Sequence, residues 1–237
     1  MRQLSTLLRE EELRKLRDEA GKLAELLPPR NPWEEFRFSI DQCIGIAYKS
    51  GKVVYHEGLS RFIEGILIED DCIEIGSDEA GKGEATGPIV VAAVALDGRG
   101  RKLLRARGLL ESKSLPKKRL NELASLIREI SISYSIKRIS PDELREVWRR
   151  GNLNDLLALW HLRVVDELLK VTNACRVIVD SFDEKKLKEA FSQIEGPQVV
   201  IESNADLRYS SVAAASILAK FEYLKEGFSG IKWGGRD

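Results

Sequence analysis

The sequence predicts an α/β fold, in which helices flank a mixed five-stranded sheet and a smaller α+β unit precedes that sheet. Two short buried strands at 177–179 and 199–201 alternate with helical segments, which is typical of parallel crossover connections. Three earlier strands, at 73–75, 88–96 and 131–136, follow in a meander order that favours antiparallel pairing. The composition is that of a globular chain, because 43% of the 237 residues are apolar and 38 basic side chains balance 38 acidic ones.

Residues 1–70 are predicted to form the smaller unit. Leucines at near-helical spacing predict one amphipathic helix over 1–27, which the Pro28-Pro29 pair ends. Further along, the apolar period changes to two on both sides of a Ser50-Gly51 turn, which predicts a β-hairpin. A short helix is expected at 59–67.

Residues 71–237 are predicted to form the larger domain. Its first strand runs into a loop with four glycines, and a continuous apolar strand follows that loop. The segment 131–136 alternates serine with larger side chains, as a half-buried strand does. Helices are predicted in the remainder of this domain, at 141–150, 153–171, 183–191 and 210–225.

Several classes of protein are excluded by composition. No segment approaches the ~20 apolar residues that a membrane span requires, and no apolar signal-peptide core follows Met1, so a cytoplasmic location is expected. The three cysteines are far apart in the chain, so neither a disulfide framework nor a structural zinc site is expected. With only two histidines, any metal is expected to be held by carboxylates.

Acidic residues stand at the ends of three predicted strands. Asp78 and Glu79 follow the first strand, Asp180 ends the strand at 177–179, and Asp206 follows the strand at 199–201. Strand ends are where sheet proteins place chemistry, and carboxylates that converge there repel one another unless a cation neutralises them. Oxygen ligands of this kind suit Mg²⁺ or Mn²⁺ rather than zinc.

The alternative interpretation is structural, because single carboxylates often cap helices or fill turns. Asp206 in particular could start the last helix, although Ser210 and Ser211 compete for the capping position. Asp78 and Glu79 are adjacent in a strand and point to opposite faces, so they share a site only if the backbone bends. The glycines that follow permit such a bend.

The loop Gly81-Lys82-Gly83 does not match a phosphate-binding P-loop, because a strand rather than a helix follows it. A turn of this kind lets backbone groups approach a ligand such as a sugar–phosphate backbone, although an ordinary β-turn has the same pattern. The segment 99–119 carries nine basic residues and one acidic residue, which indicates either a footprint for a polyanion or a solvated surface.

Four motifs stand in chain order, at 75–83 with 87–94, at 111–115, at 177–182 and at 205–220, and together they resemble those of type 2 ribonucleases H. The segments 75–83 and 87–94 resemble the opening motif, and Glu111-Ser112-Lys113-Ser114-Leu115 resembles the D-S-K-x-L element. The segment 177–182 resembles the strand that carries the third acid. The segment 205–220 is similar to the fourth acid and the helix behind it.

Within this family the sequence is most similar to ribonuclease HIII, with ribonuclease HII as the close relative. The hairpin at 48–53 resembles that of the TATA-binding-protein-like extension of the HIII branch, and Asn152-Leu153-Asn154 also resembles HIII. The chain departs from the HIII pattern at Asp206, where Glu is usual, at Lys82, where Thr is usual, and at Glu111, where Asp is usual.

The resemblance implies a ribonuclease H-like fold and endonucleolytic cleavage of the RNA strand of RNA–DNA hybrids, leaving 5′-phosphate and 3′-hydroxyl ends. Two Mg²⁺ or Mn²⁺ ions would be the cofactors, and no side-chain base is needed, which fits the lack of a histidine near any motif. The implied catalytic and metal-binding residues are Asp78, Glu79, Asp180 and Asp206. The implied nucleic-acid-binding residues are Gly81, Lys82 and Gly83, which read the 2′-hydroxyl, together with Ser112, Lys113, Ser114 and Asn154.

The expected partner is an RNA–DNA hybrid duplex that the unit at 1–70 helps to bind, with no membrane and no obligate protein partner for a monomeric chain. Two alternatives stay open. One is HII-like cleavage at single ribonucleotides embedded in DNA, and the other is a non-catalytic module that binds hybrids.

Overall fold

The computed structural model describes residues 2–84, 87–109, 115–150 and 152–225, apart from the side chains of 147–150. It divides into two compact units. The first consists of Met1–Asp70 together with Arg99–Lys113, and the second of Asp71–Gly98 together with Ser114–Asp237. The chain thus leaves the first unit after Asp70 and returns to it at 99–113.

In its described residues the first unit contains a five-stranded antiparallel sheet, three α-helices and a short 3-10 helix at Glu57–Leu59. In space the strands lie in the order β1, β5, β4, β3, β2. Their bounds are β1 Gln3–Leu7, β2 Glu25–Leu27, β3 Glu34–Ile40, β4 Cys43–Tyr48 and β5 Lys52–His56, and those of the helices are α1 Glu10–Leu23, α2 Ser60–Ile66 and α3 Gly98–Ala106. The hairpin around residue 50 and the short helix near residue 60 are thus confirmed.

The single helix predicted over 1–27 is wrong, because strands β1 and β2 lie on either side of α1. Strand β1 pairs with β5, and this pairing puts Leu4 opposite Tyr55 in the core. The helix begins only at Glu10, where three acidic residues occupy the first turn and complement the helix dipole. Leucine spacing alone does not distinguish a helix from a strand that forms by pairing with a distant strand.

The second unit contains the mixed sheet, with strand order β10, β9, β6, β7, β8. The pairs β6–β7 and β7–β8 are antiparallel, whereas β6–β9 and β9–β10 are parallel, so the predicted mixed five-stranded sheet is confirmed. The strands are β6 Glu74–Ala80, β7 Ile89–Leu96, β8 Ser133–Ile139, β9 Arg176–Asp180 and β10 Gln198–Glu202. The helices are α4 Lys117–Ile130, α5 Pro141–Arg150, α6 Leu153–Leu169, α7 Glu184–Ala190 and α8 Ser210–Lys225.

Helices α3 and α4 are absent from the sequence-based prediction, which interprets their segment by charge alone. Their apolar residues nevertheless recur at helical spacing, as Leu120, Leu123, Ala124 and Ile127 do on the buried face of α4. The charge interpretation is also wrong in part, because two of the nine basic side chains, Arg101 and Arg105, are buried.

Helices cover both faces of the central sheet. All eight residues of β7 are buried, as expected for a strand between two helical layers. Helix α8 approaches β6 so closely that a Cβ atom on Gly76 would lie 2.1 Å from the backbone nitrogen of Val212. On the opposite face, α6 contributes Leu157, Val165 and other apolar side chains to the main core cluster.

A disulfide joins Cys72 to Cys175, with 5.8 Å between their Cα atoms, contrary to the expectation that no cysteines pair. The register explains this pairing. Strands β6 and β9 run in parallel with Glu74 beside Arg176, so the residues just before the two strands are also neighbours. The backbone of Cys175 donates to the carbonyl of Ile73 at 3.0 Å. The separation of two cysteines along the chain therefore does not indicate whether they pair.

None of the helices in the described part of the chain combines the length and the apolar character that a bilayer crossing requires.

A buried ion-pair cluster joins α3 to the remainder of the first unit. Arg105 donates from its two terminal nitrogens to both oxygens of the fully buried Glu12, at 2.8 and 2.7 Å. It also pairs with Glu69 at 2.6 Å, and Arg101 pairs with Glu69 and Asp70. Bidentate pairs of this kind are among the stronger charged contacts in proteins.

The pKa of Glu12 reports the strength of this cluster. Burial alone would raise that pKa, but the hydrogen bonds and charge of Arg105, with the amides of Ile68 and Arg9, lower it from 4.5 to about 2. A carboxyl whose folded pKa is depressed stabilises the fold above its unfolded pKa, and this stabilisation is lost as pH falls through the folded value.

We therefore expect Glu12→Gln to lower the free energy of unfolding by roughly 3 kcal/mol at pH 7, because it removes the bidentate partner of buried Arg105 and leaves Glu69 as its carboxylate partner in this cluster. Urea unfolding at several pH values would show the gap to the wild type closing between about pH 4.5 and 2. Glu11→Gln, on the exposed side of α1, is the matched control. A stability difference between Glu12→Gln and the wild type that does not change with pH would contradict the Glu12–Arg105 ion pair as its cause.

Candidate active site

The register of the parallel strands determines where two of the four predicted acids lie. The last residue pair between β6 and β9 is Ser77 beside Val179. Asp78 and Asp180 are the next residues of their strands, so they stand side by side at the carboxyl end of the sheet. Both lie on the face that α8 covers, since Ser216 on that helix makes a hydrogen bond with Asp78.

Glu79 reaches the same strand end from the opposite face. The predicted bend is not observed, because β6 continues in regular register with β7 through Asp78, Glu79 and Ala80. The side chain of Glu79 instead points towards α6, where Oε2 lies 3.1 Å from Nε2 of His161. The charge of Glu79 nevertheless acts on Asp180 and helps to raise its pKa.

Asp206 lies in a short 3-10 turn, Ala205–Leu207, between β10 and α8. The turn is fixed to β9, because the backbone nitrogen of Ala205 donates to Oδ1 of Asp180 at 2.6 Å. Helix α8 begins only at Ser210, so Asp206 does not start it. The charge of Asp206 acts on Asp180, which joins the fourth acid to the other three.

The pKa shifts show that this negative charge is poorly compensated. Burial, then the charge of Glu79, and more weakly that of Asp180, raise the pKa of Asp78 well above its usual range, against hydrogen bonds from Ser216 and the Glu79 amide. Burial also raises the pKa of Asp180, with further contributions from the charges of Asp206 and Glu79. Raised values in a cluster are typical of functional sites.

The donor set fits a hard divalent cation, since the groups that repel one another are carboxylates. Among the described residues, however, no three His, Cys, Asp or Glu side chains are gathered closely enough to hold an ion as they stand. The carboxylates instead accept hydrogen bonds from neighbouring protein groups. Binding an ion therefore requires some of these carboxylates to move closer to one another than they stand here.

His161 is the residue of this site that the sequence-based prediction missed. It is fully buried, and its two ring nitrogens contact Ser77 Oγ at 2.8 Å and Glu79 Oε2 at 3.1 Å. The expectation that no histidine lies near a motif is wrong. A signal was present, because position 161 falls on the buried stripe of α6 that includes Leu157, Val164 and Leu168.

The loop Gly81-Lys82-Gly83 lies close to Phe182, just beyond the end of β9. Gly81 has a φ of +94°, and a Cβ atom there would lie 2.4 Å from the carbonyl oxygen of Pro88, so only glycine fits. The ammonium of Lys82 lies 3.7 Å from the centre of the Phe182 ring and 4.0 Å from Glu79 Oε1, and burial lowers its pKa. A Cβ atom on Gly83 would meet no neighbour within 4 Å.

The other predicted nucleic-acid contacts are less informative. The side-chain nitrogen of Asn154 donates to Asp183 Oδ2 at 3.0 Å, which ties the start of α6 to the start of α7. Ser112, Lys113 and Ser114 lie outside the described residues. The roles predicted for the loop glycines, Lys82 and Asn154 in binding nucleic acid stay predictions.

A family model described as Ribonuclease HII matches residues 75–227, a segment that includes all four acids and His161. The chain belongs to this family. It is therefore a ribonuclease H, and the predicted resemblance is confirmed.

Ribonuclease HII of Methanothermobacter thermautotrophicus is 39% identical over 155 residues, which cover 62% of this chain and 71% of the relative. Ribonuclease HIII of Protochlamydia amoebophila is 32% identical over 196 residues, covering 75% of this chain and 64% of the relative. The structure of Bst-RNase HIII in complex with Mn²⁺ superposes with a TM-score of 0.61 at 24% identity, over 95% of this chain and 82% of that one, which shows a shared fold.

The repulsion around Asp78 gives a prediction for the metal-free protein. Asp78→Asn removes a buried charge and keeps an oxygen that accepts hydrogen bonds, so we expect a higher melting temperature at pH 7 in EDTA, by about 2–4 °C for each kcal/mol of relieved repulsion. Since the pKa of Asp78 is raised, the wild type takes up its proton as pH falls, and the difference should shrink. Asp71→Asn, at an exposed position, is the control. A lower melting temperature for Asp78→Asn would contradict this electrostatic account.

Proposed function

We propose that this ribonuclease H hydrolyses the RNA strand of RNA–DNA hybrids with two divalent ions, leaving 5′-phosphate and 3′-hydroxyl ends. The proposal is supported above all by the register that puts Asp78 beside Asp180, within the segment that matches the family. Both carboxylates have raised pKa values, so a cation would relieve a repulsion that the protein itself leaves uncompensated.

In this proposal Asp78 and Asp180 bind the ions directly, and Glu79 and Asp206 complete the site from either side. Bound divalent ions would supply an activated water and would neutralise charge on the departing 3′-oxygen. The protein would orient the scissile phosphate, and the backbone of Gly81 and Gly83 would approach the ribose, where the 2′-hydroxyl distinguishes RNA from DNA. Lys82 would exchange its contact with Phe182 for one with a phosphate.

The cleavage preference that we propose is of the HIII type, with HII-like cleavage at single embedded ribonucleotides as the alternative. The first unit supports the HIII preference, because a fold match to Bst-RNase HIII extends over 95% of the chain. The relatives themselves carry both names, so the preference needs a direct assay.

The test uses two duplexes of equal length, one with an all-RNA strand paired to DNA and one with a single ribonucleotide in DNA, each with Mg²⁺ and with Mn²⁺. We expect cleavage of the all-RNA strand only. We also expect Asp78→Asn and Asp180→Asn to lower the rate by more than about 100-fold while binding of the hybrid persists, because each removes an ion ligand. Asp71→Asn, exposed and at the opposite end of β6 from Asp78, is the control.

Cutting at the single ribonucleotide would replace the HIII assignment with the HII alternative. Near wild-type cleavage by either aspartate variant would refute the proposed ion ligands. Hybrid binding without cleavage by the wild type would favour the non-catalytic module.

We further propose that the first unit binds the duplex through its β4–β5 hairpin. This unit has 11 basic and 13 acidic side chains within residues 1–70, so bulk charge does not support binding. The hairpin itself supports it, because Lys49 and Lys52 are both exposed beside its turn. Deleting residues 1–68 is a poor test, since it would remove Glu12 and leave Arg105 of α3 without a principal partner.

The sharper test is the double variant Lys49→Gln and Lys52→Gln. If each lysine neutralises one phosphate, the dependence of log affinity on log salt concentration should become shallower by about two. Fluorescence anisotropy with a labelled hybrid between 50 and 200 mM salt, roughly the range where such losses are large, measures that slope. Lys15→Gln with Lys22→Gln on α1 is the control pair. An unchanged slope would argue against the hairpin as the contact.

A monomeric state, a cytoplasmic location and the lack of an obligate protein partner are proposed on the sequence alone. Sedimentation at micromolar concentration tests the first of these.

A further inference from the structure

We propose that His161 is a positioning residue that holds the Glu79 carboxylate at the end of β6 for ion binding. The inference rests on the proposed function, and it starts from geometry. A fully buried imidazole on α6 bridges a core serine and an acid of the site, through contacts of 2.8 Å and 3.1 Å. Ligands of bound ions generally depend on such outer partners for their orientation.

The bridge is anchored in the buried core of the central sheet. Ser77 is itself fully buried, and its hydroxyl donates to the carbonyl oxygen of Ala92 on β7 at 3.0 Å. A continuous chain of contacts thus runs from the backbone of β7 through Ser77 and His161 to Glu79. Each member lies on a core strand or on the buried face of α6, so the carboxylate is fixed to the central sheet rather than to a loop.

The two oxygens of Glu79 face different partners. Oε2 meets His161, and Oε1 lies 4.0 Å from the ammonium of Lys82. Lys82 is on the loop that would contact nucleic acid, whereas His161 is in the core. Without His161, the carboxylate would lose the contact that fixes Oε2, and the longer contact of Oε1 with Lys82 on the loop would orient it instead.

A purely structural role for His161 predicts a different result when the ring is replaced. The ring packs near Phe182, with 5.5 Å between ring centres, and a phenyl group would preserve most of that apolar contact. If packing were its only role, His161→Phe would change stability and leave ion binding alone. If His161 positions Glu79, His161→Phe would weaken ion binding in a folded protein.

The experiment compares the wild type with His161→Phe, which removes both polar contacts, and with His161→Gln, which can donate to Glu79 and contact Ser77. Calorimetric titration with Mn²⁺ measures ion affinity without any substrate. Steady-state cleavage of an RNA–DNA hybrid gives kcat and KM separately. Leu159→Phe, at an exposed position of the same helix, is the control.

We expect His161→Phe to bind Mn²⁺ about 10–100-fold more weakly and to lose kcat by a similar factor, with KM changed by less than about threefold. His161→Gln should recover most of both losses. If His161→Phe folds poorly, Ser77→Ala tests the same chain of contacts from its far end and should weaken Mn²⁺ binding in the same direction.

Wild-type Mn²⁺ affinity in folded His161→Phe would overturn the inference, and so would a loss that appears in KM alone or that His161→Gln does not recover. The proposed function fails separately, if the wild type cuts no hybrid. In that case the Mn²⁺ titrations still decide whether His161 positions Glu79.

Discussion

The parallel pairing of β6 with β9 is the constraint on which the candidate active site depends. The pairing ends at Ser77 and Val179, and the next residue of each strand is an aspartate. Strand β10 pairs with β9 in parallel as far as Glu202 and leads into the turn with Asp206. A shift of one residue in either register would move an acid to the opposite face, because side chains alternate along a strand. Gly76 also contributes to this arrangement, because its lack of a side chain lets α8 pack closely against β6.

The pKa values of two buried acids, Glu12 and Asp78, are shifted in opposite directions. Glu12 in the first unit meets Arg105 in a bidentate pair, and its pKa falls to about 2. The pKa of Asp78 in the second unit rises instead, because burial and the charges of Glu79 and Asp180 outweigh the hydrogen bonds from Ser216 and the Glu79 amide. The first acid contributes stability at neutral pH, whereas the second costs stability unless a cation is bound. Raised pKa values in a cluster are typical of functional sites, so this contrast favours a structural role for Glu12 and supports the proposed role of Asp78.

Sequence patterns predicted the strands of the central sheet, the hairpin in the first unit and most helices of the second, because their apolar periods are regular. They failed where tertiary partners override local spacing, as in β1, which forms only by pairing with β5. Helices α3 and α4 were not predicted, because the basic charge of their segment indicates an exposed surface. Two of its basic side chains, Arg101 and Arg105, are in fact buried. The resemblance singled out the acids, but it could not reveal His161, whose role depends on a contact across 82 residues of sequence.

The disulfide between Cys72 and Cys175 has a consequence for the unfolded chain. It spans 103 residues, and the covalent ring it closes includes the segment 99–113 that belongs to the first unit. An oxidised unfolded chain therefore keeps the starts of β6 and β9 tethered, so the loop-closure entropy of their distant pairing is already reduced. In the chain-entropy description a ring of this size is worth about 4–5 kcal/mol. The strand pair that is most distant in sequence is thus the one that a covalent bond holds in proximity.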